Sequence, residues 1–186
     1  MRLFIAIPLP PELAARAAAT LPAALPGLRR VKAENLHVTL AFLGWTPDEQ
    51  LDQVTSAALE AAASVAPFDV EFRGAGRFPE RGRPRVVWLG IAGGAESVLN
   101  LGAAVAQALR SRRLKFDDRP LSPHLTLARV ADDASAAETR TVAAAVSTLA
   151  PPALRFRVGE AAVFQSVLSP KGPRYTALAT ASLGRA

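Results

Sequence analysis

The sequence contains one four-residue phrase twice, as His37-Val38-Thr39-Leu40 and as His124-Leu125-Thr126-Leu127. The histidines that open these phrases are the only two in the 186-residue chain. Side chains alternate between the two faces of a β-strand, so the histidine and the threonine of each phrase share a face. The repeat therefore predicts two equivalent strands, each presenting an imidazole beside a hydroxyl group.

Hydrophobic patterning around the phrases predicts the same order of elements twice: strand, helix, histidine strand, helix and strand. In the first half these elements are predicted at residues 3–9, 11–21, 36–43, 47–64 and 68–78. In the second half they are predicted at residues 86–91, 95–111, 124–130, 134–149 and 154–165. A turn at residues 169–172 and a last strand at residues 174–181 complete the pattern.

Duplicated units commonly assemble about an approximate two-fold axis, as the subunits of a symmetric dimer do. We therefore predict one domain over residues 1–186, built from two half-units at roughly 1–83 and 84–186. Such an axis would place the two histidine strands on opposite walls of one cleft. Strict alternation within these strands puts Ala41 on the face of His37, and turns Phe42 and Arg129 away from the cleft.

The composition is that of a globular protein, with 50% hydrophobic and 20% charged residues. The absence of cysteine excludes disulfides, thiolate metal sites and a cysteine nucleophile, and it fits a reducing compartment. No stretch approaches the roughly 18 apolar residues of a membrane span, and the N-terminal apolar run is cut too early by prolines to be a signal peptide. We expect a soluble, cytoplasmic protein without membrane contacts.

The net charge of +6 arises from 22 basic and 16 acidic residues. Arginine accounts for 19 of the basic residues, and its planar guanidinium group can pair with two phosphate oxygens at once. A basic surface also attracts polyanions such as nucleic acids. A general preference for arginine and alanine codons would produce the same composition, so the charge alone does not identify a partner.

Two histidines and two threonines on facing strands suit the cleavage of a phosphodiester. Histidine titrates near neutrality, so one imidazole can take a proton from the nucleophile while the other gives a proton to the leaving oxygen. The two threonine hydroxyls would donate hydrogen bonds to the non-bridging phosphate oxygens, where charge builds up. A purely structural explanation, with histidine and threonine as ordinary strand residues, accounts for either phrase alone but not for their duplication.

Other mechanisms fit the residues less well. Catalytic zinc usually has three protein ligands, whereas two histidines without cysteine supply two, so we expect no metal and no cofactor. A Ser-His-Asp arrangement would use one histidine and leave the second phrase without a role.

The paired phrases resemble the signature of the two-histidine phosphoesterase superfamily, and specifically its RNA 2′,3′-cyclic phosphodiesterase branch, also called 2′-5′ RNA ligase. The resemblance runs the length of the chain and includes four stretches, at residues 2–7, 34–44, 122–129 and 166–175. It implies an α+β fold with two pseudo-symmetric lobes, each with an antiparallel sheet flanked by helices, and an active-site cleft between them. It also implies metal-independent hydrolysis of RNA 2′,3′-cyclic phosphate ends to 2′-phosphates, and reversible 2′-5′ joining of RNA.

The resemblance also implies roles for individual residues. His37 would be the proton donor to the departing 3′ oxygen, and His124 would be the proton acceptor that activates water. Thr39 and Thr126 would bind the phosphate. Arg129 matches a position that the family tends to keep basic, although strict alternation turns it away from His124.

Aromatic and basic residues near the phrases are further candidates for substrate binding. Phe4, Phe78 and Tyr175 are predicted either to stack on a base or to belong to the core. The loop arginines either guide the RNA backbone or form a solvated loop, and they are Arg77, Arg81, Arg83 and Arg85.

Two alternative functions use the same residues. One is a 2′,5′-phosphodiesterase acting on oligonucleotides or on another small cyclic nucleotide. The other is an RNA-end binding protein that retains the cleft without turnover. In each case the expected partner is an RNA end or a small cyclic nucleotide, and the expected state is a monomer.

Overall fold

A computed structural model describes residues 1–169 and 172–184. The helices in these residues are α1 (Pro11–Ala18), α2 (Leu51–Ala63), α3 (Ala95–Ser111) and α4 (Ala136–Thr148). The strands are β1 (Arg2–Pro8), β2 (Leu28–Arg30), β3 (His37–Trp45), β4 (Phe68–Phe78), β5 (Val86–Gly93), β6 (His124–Val130), β7 (Leu154–Val158), β8 (Glu160–Val167) and β9 (Arg174–Ser182). Of the turn predicted at residues 169–172, Pro170 and Lys171 lie outside the described residues; the amide of Gly172 donates to the Ser169 carbonyl over 2.9 Å.

The strands form one antiparallel sheet in the order β7-β4-β5-β6-β3-β1-β8-β9, with β2 paired to β6. The two histidine strands, β3 and β6, lie side by side at its centre. They pair through a single register position, Val38 opposite Leu125, and the short strand β2 occupies the remaining edge of β6. Because β3 and β6 separate on either side of this one pair, the sheet opens into two lobes with a cleft between them, and the predicted bilobal α+β fold is confirmed.

The helices cover the sheet in two groups, one for each lobe. Helices α2 and α3 pack on each other and on β3, β8 and β9, whereas α1 and α4 lie against β7 and β4. Helix α3 buries Val98, Leu101, Val105 and Leu109, which recur at the three- and four-residue spacing of one helical face, as predicted. Burying each such side chain contributes about 1.5–3 kcal/mol before entropy costs.

Strand β1 passes through the most buried part of the molecule. Its residues from Leu3 to Ile7 are at most 4% exposed, so both faces of the strand are covered, as its unbroken apolar run predicts. Its neighbours are β3 on one side and β8 on the other. One wall of the cleft is therefore built on a fully packed strand.

The prediction of one strand over residues 154–165 is wrong. Residues 154–158 form β7, which pairs with β4 at one end of the sheet, and residues 160–167 form β8, between β1 and β9 at the other end. Only Gly159 separates the two strands, and its carbonyl accepts a hydrogen bond from the Leu183 amide over 2.8 Å. The sheet must therefore curl strongly enough to bring its two ends together.

Helices long and apolar enough to cross a membrane do not occur in residues 1–169 and 172–184.

Candidate active site

The Val38–Leu125 pair organises the site. Both side chains are buried, at 1% and 0% exposure, and point into the core. In this antiparallel register His37 lies across from Thr126, and Thr39 lies across from His124, all on the opposite face from the pair. A local two-fold axis between Val38 and Leu125 thus relates the two histidines and the two threonines. The four half-buried side chains surround the line along which the lobes separate.

Both imidazoles are held by the same kind of hydrogen bond. His37 Nδ1 lies 2.7 Å from the Asn35 carbonyl oxygen, and His124 Nδ1 lies 2.7 Å from the Ser122 carbonyl oxygen. A carbonyl only accepts, so each Nδ1 donates its proton, and in the neutral ring Nε2 carries the free lone pair. Each ring therefore has one nitrogen fixed by its own backbone and the other available for proton transfer.

The segment that holds His37 is itself fixed. Asn35 is 8% exposed, and its side-chain Nδ2 donates to the Pro173 carbonyl oxygen over 2.9 Å. This bond links the approach to β3 with the start of β9. The orientation of His37 thus depends on Asn35 and, through it, on Pro173, which is distant in the sequence.

Aromatic rings enclose His37. The Phe4 ring centroid lies 4.8 Å from that of His37, and the Tyr175 ring meets His37 edge-on at 5.4 Å. Phe164 stacks on Phe4 at 5.1 Å, and its ring lies 6.4 Å from that of His37. Phe4 is 4% exposed and so belongs to the core, although it forms one wall of the imidazole pocket.

A smaller aromatic wall supports His124. Phe78 meets the imidazole edge-on at 5.1 Å, and Trp88 lies at 6.4 Å while packing on Phe78. The Trp88 ring occupies the space beside Gly76, where a Cβ atom would lie 2.2 Å from a ring carbon. Glycine is therefore required at this position of β4.

Two β-bulges correct the predicted alternation. Along β6, Trp88 faces Thr126 and Val87 faces Ala128, so Leu127 has no partner; along β3, Leu40 is left out in the same way. Each extra residue reverses the faces that follow it. Ala41 and Ala128 consequently turn into the core, with 5% and 0% exposure. The prediction of strict alternation is therefore wrong for the residues that follow Thr39 and Thr126 in their strands.

Because of the bulge, Arg129 lies on the cleft side with His124 and Thr126 and lines the same cavity. On β3 the equivalent position, five residues after the histidine, is Phe42. The Arg2 guanidinium lies over the Phe42 ring at 5.2 Å and lines this cavity as well. The cleft is thus asymmetric, with Arg129 on one strand where the other carries Phe42.

Burial lowers the pKa of both histidines below the ordinary 6.5. For His37, burial outweighs the Asn35 hydrogen bond, which raises the pKa, and the charges of His124 and Arg129 lower it further. For His124, burial again outweighs the hydrogen bond to Ser122, and Arg129 adds to the lowering of the pKa. Burial raises the pKa of the Tyr175 hydroxyl, against the opposing effect of Arg129 and Arg2. Each histidine therefore loses its proton more readily than in water.

Two cavities adjoin the site, and Arg129 lines both. The larger one, of about 710 Å³, is called the His37-side cavity because Asn35 and Tyr175, which contact His37, line it; its other charged lining residues are Arg29, Arg30, Lys32, Arg85 and Asp132. The His124-side cavity, of about 630 Å³, includes Ser122, His124 and both phrase threonines, with Arg2, Phe42 and Phe78. The cations suit an anionic substrate that extends to both sides of the histidines.

The structure brings the predicted residues His37, His124, Thr39, Thr126, Arg129, Phe4, Phe78 and Tyr175 together around this cleft. The predicted loop arginines have different surroundings. Arg85 lines the His37-side cavity. Arg77 lies in β4 and donates to the Gly82 carbonyl in the loop that follows, and Arg83 donates to the Asp132 and Ala134 carbonyls. Groups of three or more His, Cys, Asp or Glu side chains able to hold a metal ion do not occur in the described part of the chain.

Sequence reasoning did not identify Arg2, Phe42, Trp88 and Asn35 as site residues. Phe42 could have been found, since it occupies the same place after its histidine as Arg129 does after the other. Arg2 and Trp88 act through strand pairing, which leaves no local signal. Asn35 and Ser122 hold the imidazoles with backbone carbonyls, so their side-chain types give no indication of it.

Comparison with known proteins gives consistent matches over nearly the whole chain. A family model described as the 2′-5′ RNA ligase superfamily matches residues 9–168. A Thermus thermophilus protein named RNA 2′,3′-cyclic phosphodiesterase is 36% identical, over 98% of this chain and 90% of its own length. An Archaeoglobus fulgidus protein of the same name is 32% identical, over 94% and 96%. The crystal structure of E. coli LigT in complex with 3′-AMP has a TM-score of 0.76 and 29% identity, with 98% of this chain and 97% of that chain covered.

Proposed function

Because this chain belongs to the 2′-5′ RNA ligase superfamily, we propose that it is an RNA 2′,3′-cyclic phosphodiesterase that opens the cyclic phosphate to a 2′-phosphate without a metal ion. The Thermus thermophilus and Archaeoglobus fulgidus relatives, which this chain matches over at least 90% of their own length, are both named RNA 2′,3′-cyclic phosphodiesterase. The substrate is the end of an RNA, or a small nucleotide, that carries a 2′,3′-cyclic phosphate. The E. coli relative in complex with 3′-AMP supports a nucleotide as the ligand of the cleft.

In the proposed reaction, His124 acts as the base and His37 as the acid. Neutral His124 takes a proton from water through Nε2 as the water oxygen attacks phosphorus. The bond between phosphorus and the 3′ oxygen breaks, and protonated His37 gives its Nε2 proton to that oxygen. In one in-line step, His124 therefore gains one proton and His37 gives one proton to the leaving oxygen.

The lowered pKa values fit the assignment of His124 as the base and His37 as the acid. Burial favours neutral imidazole in the free protein, which is the form that the base needs. The acid needs a proton, and an anionic phosphate bound between the rings favours imidazolium there. Substrate binding itself would therefore charge His37.

Three donors face the space for the phosphate oxygens. The hydroxyls of Thr39 and Thr126 would donate to the two non-bridging oxygens, one from each strand. Arg129, placed on the cleft face by the bulge, adds a full positive charge. Preorganised donors of this kind stabilise the charge that builds in the transition state.

The observation that best supports the proposal is the symmetric pair of imidazoles, each with Nδ1 bonded to the carbonyl two residues earlier. The same tautomer in both rings leaves both Nε2 atoms free for proton transfer.

The decisive assay incubates the protein with a nucleoside 2′,3′-cyclic phosphate in excess chelator and identifies the product by 31P NMR. We expect the nucleoside 2′-phosphate. Replacing either histidine, as His37→Ala or His124→Ala, should lower kcat/KM at least ~10²-fold with the fold intact by circular dichroism. A 3′-phosphate product, or a single variant with full activity, contradicts the mechanism.

The same assay separates the alternatives. Hydrolysis of 2′,5′-linked oligonucleotides but not of cyclic phosphates would favour a 2′,5′-phosphodiesterase. Tight binding of cyclic-phosphate RNA without turnover would favour an RNA-end binding protein.

Three further predictions remain part of the proposal. The half-units at roughly 1–83 and 84–186 are supported by the equivalent order of the first two strands outward from each histidine strand, which are β5 and β4 from β6, and β1 and β8 from β3. In this scheme each half contributes a strand to the lobe of the other. Strand β4 of the first half pairs with β5 of the second, and β8 of the second half pairs with β1 of the first. A cytoplasmic location is supported by the cysteine-free composition, and a monomer by a cleft that one chain forms alone.

A further inference from the structure

A stripe of three residues leads from the active site to the edge of the molecule. After Thr39, the bulge at Leu40 brings Phe42 onto the cleft face. A second register shift, between Leu3 and Phe4, leaves Leu43 without a partner and places Trp45 directly across from Arg2. We call Phe42, Arg2 and Trp45 the Trp45 stripe.

The members of the stripe are exposed in a way that packing does not explain. The Trp45 side chain is 83% exposed and that of Phe42 is 37% exposed. Tryptophan is among the more buried residue types, so an exposed ring beside an active site calls for a ligand. The Arg2 guanidinium lies over the Phe42 ring, and no ion pair between described residues includes Arg2.

This combination matches single-stranded nucleic acid. Bases stack on aromatic rings without regard to sequence, while arginine side chains track the phosphates. The stripe continues the His124-side cavity, which contains Arg129 and the phosphate-facing threonines. A strand lying on the stripe would therefore deliver its end to the phosphorus from the side of His124.

The direction of attack decides which strand this is. In an in-line displacement the incoming oxygen and the leaving oxygen lie on opposite sides of phosphorus. The nucleoside that carries the cyclic phosphate stays bonded to phosphorus through its 2′ oxygen, and its 3′ oxygen departs on the side of His37. Its RNA chain therefore runs into the His37-side cavity, which Arg29, Arg30, Lys32 and Arg85 line.

The family to which the chain belongs is named for 2′-5′ RNA ligation, and we propose that the Trp45 stripe is the surface that binds the second RNA strand, whose 5′-hydroxyl takes the place of water. This rests on the proposed function, with His124 as base. His124 removes the 5′-hydroxyl proton, the 5′ oxygen bonds to phosphorus, the bond to the 3′ oxygen breaks, and His37 protonates that oxygen. The product is a 2′-5′ phosphodiester, and in the reverse direction the two histidines exchange roles.

The test compares two substrates that share one donor strand. The first is an RNA oligonucleotide ending in a 2′,3′-cyclic phosphate, which water hydrolyses. The second is the same oligonucleotide extended by a 5′ strand through a single 2′-5′ linkage, which the reverse reaction cleaves. Only the second substrate occupies the stripe.

Trp45→Ala should lower kcat/KM for cleavage of the 2′-5′ linkage by about 5- to 150-fold, the range for loss of one base stack. Hydrolysis of the cyclic phosphate should stay within about twofold of wild type. Trp45→Phe, which keeps an aromatic ring, should recover most of the cleavage. Leu59→Ala is the matched control, because Leu59 is 47% exposed on α2 and lines neither cavity.

Each other outcome overturns the proposal. An unchanged cleavage rate in Trp45→Ala removes Trp45 from the second strand, and equal losses on both substrates place it with the donor strand. Wild-type protein that hydrolyses the cyclic phosphate but neither cleaves nor forms the 2′-5′ linkage would refute the second strand while leaving the proposed function intact. Absence of hydrolysis by wild type refutes both.

Discussion

Replacing Arg129 by glutamine should shift the pH dependence of the enzyme as well as its rate. The positive charge of Arg129 lowers the pKa of both His37 and His124, in addition to the larger effect of burial. Removing that charge makes each imidazolium easier to form, so both pKa values should rise toward 6.5. The limbs of the kcat/KM profile, which report the free enzyme, should then move to higher pH.

The wild-type profile sets the reference for this shift. Because both pKa values lie below 6.5, kcat/KM should peak on the acidic side and fall about tenfold per pH unit above both pKa values, or about 30-fold between pH 7 and pH 8.5. The two apparent pKa values belong to the coupled pair. Loss of Arg129 should also lower the maximum by about 10- to 150-fold, as expected for one hydrogen bond to a charged group.

Two measurements check the shift independently. Initial rates with a nucleoside 2′,3′-cyclic phosphate well below KM, from pH 4.5 to 9 at constant ionic strength with chelator, give the limbs. The chain has only two histidines, so their Cε1 proton signals can be titrated directly by NMR. Imidazoles that titrate at or above 6.5 in wild type, or limbs that stay in place in Arg129→Gln while the rate falls, would refute the electrostatic reasoning.

Four other substitutions test the remaining parts of the site and the fold. Thr39→Val and Thr126→Val should each lower kcat on the order of 10²-fold, because each removes one donor to the phosphate; retention of full kcat in single-turnover assays would argue against that role. Gly76→Ala should lower the melting temperature by about 2–12 °C and also the activity, because its Cβ would lie 2.2 Å from a Trp88 ring carbon; calorimetry showing no change would mean that the ring moves freely. Ser135→Ala, which removes the capping box between Ser135 and Glu138 at the start of α4, should lower the melting temperature by about 2–4 °C with kcat/KM unchanged, and a loss of activity in that variant would link α4 to the cleft.

The sequence predicted the centre of the site because strand geometry is simple there. His37 and Thr39, like His124 and Thr126, are two residues apart, and a period of two puts each pair on one face whatever the strand pairs with. The duplication then indicated that the two faces meet. The order of strands and helices followed from apolar patterning in the same way, as in the buried face of α3.

Pairing between strands decided what the sequence could not predict. The bulges at Leu40 and Leu127 exist because β1 and β5 skip one residue of their partners, so the faces of Phe42 and Arg129 depend on distant segments. The division of residues 154–165 at Gly159 has the same origin, since β7 and β8 find partners at opposite ends of the sheet. Local patterns carry neither piece of information.

Contacts made by backbone groups are the second feature of the site that the sequence could not predict. The Asn35 and Ser122 carbonyls fix the tautomers on which the mechanism depends, yet any residue type supplies a carbonyl. Trp88 supports His124 only because Gly76 leaves room on the adjacent strand.

The central claim, that one imidazole is the acid and the other the base on a single phosphate, is tested most directly by replacing the leaving oxygen. In a nucleoside 2′,3′-cyclic phosphate with sulfur at the 3′ bridging position, the leaving thiolate needs no proton. His37→Ala should then lose less than about tenfold in kcat relative to wild type, compared with at least ~10²-fold on the oxygen substrate. His124→Ala should lose at least ~10²-fold on both substrates. Equal losses for His37→Ala on the oxygen and sulfur substrates would contradict its role as the acid.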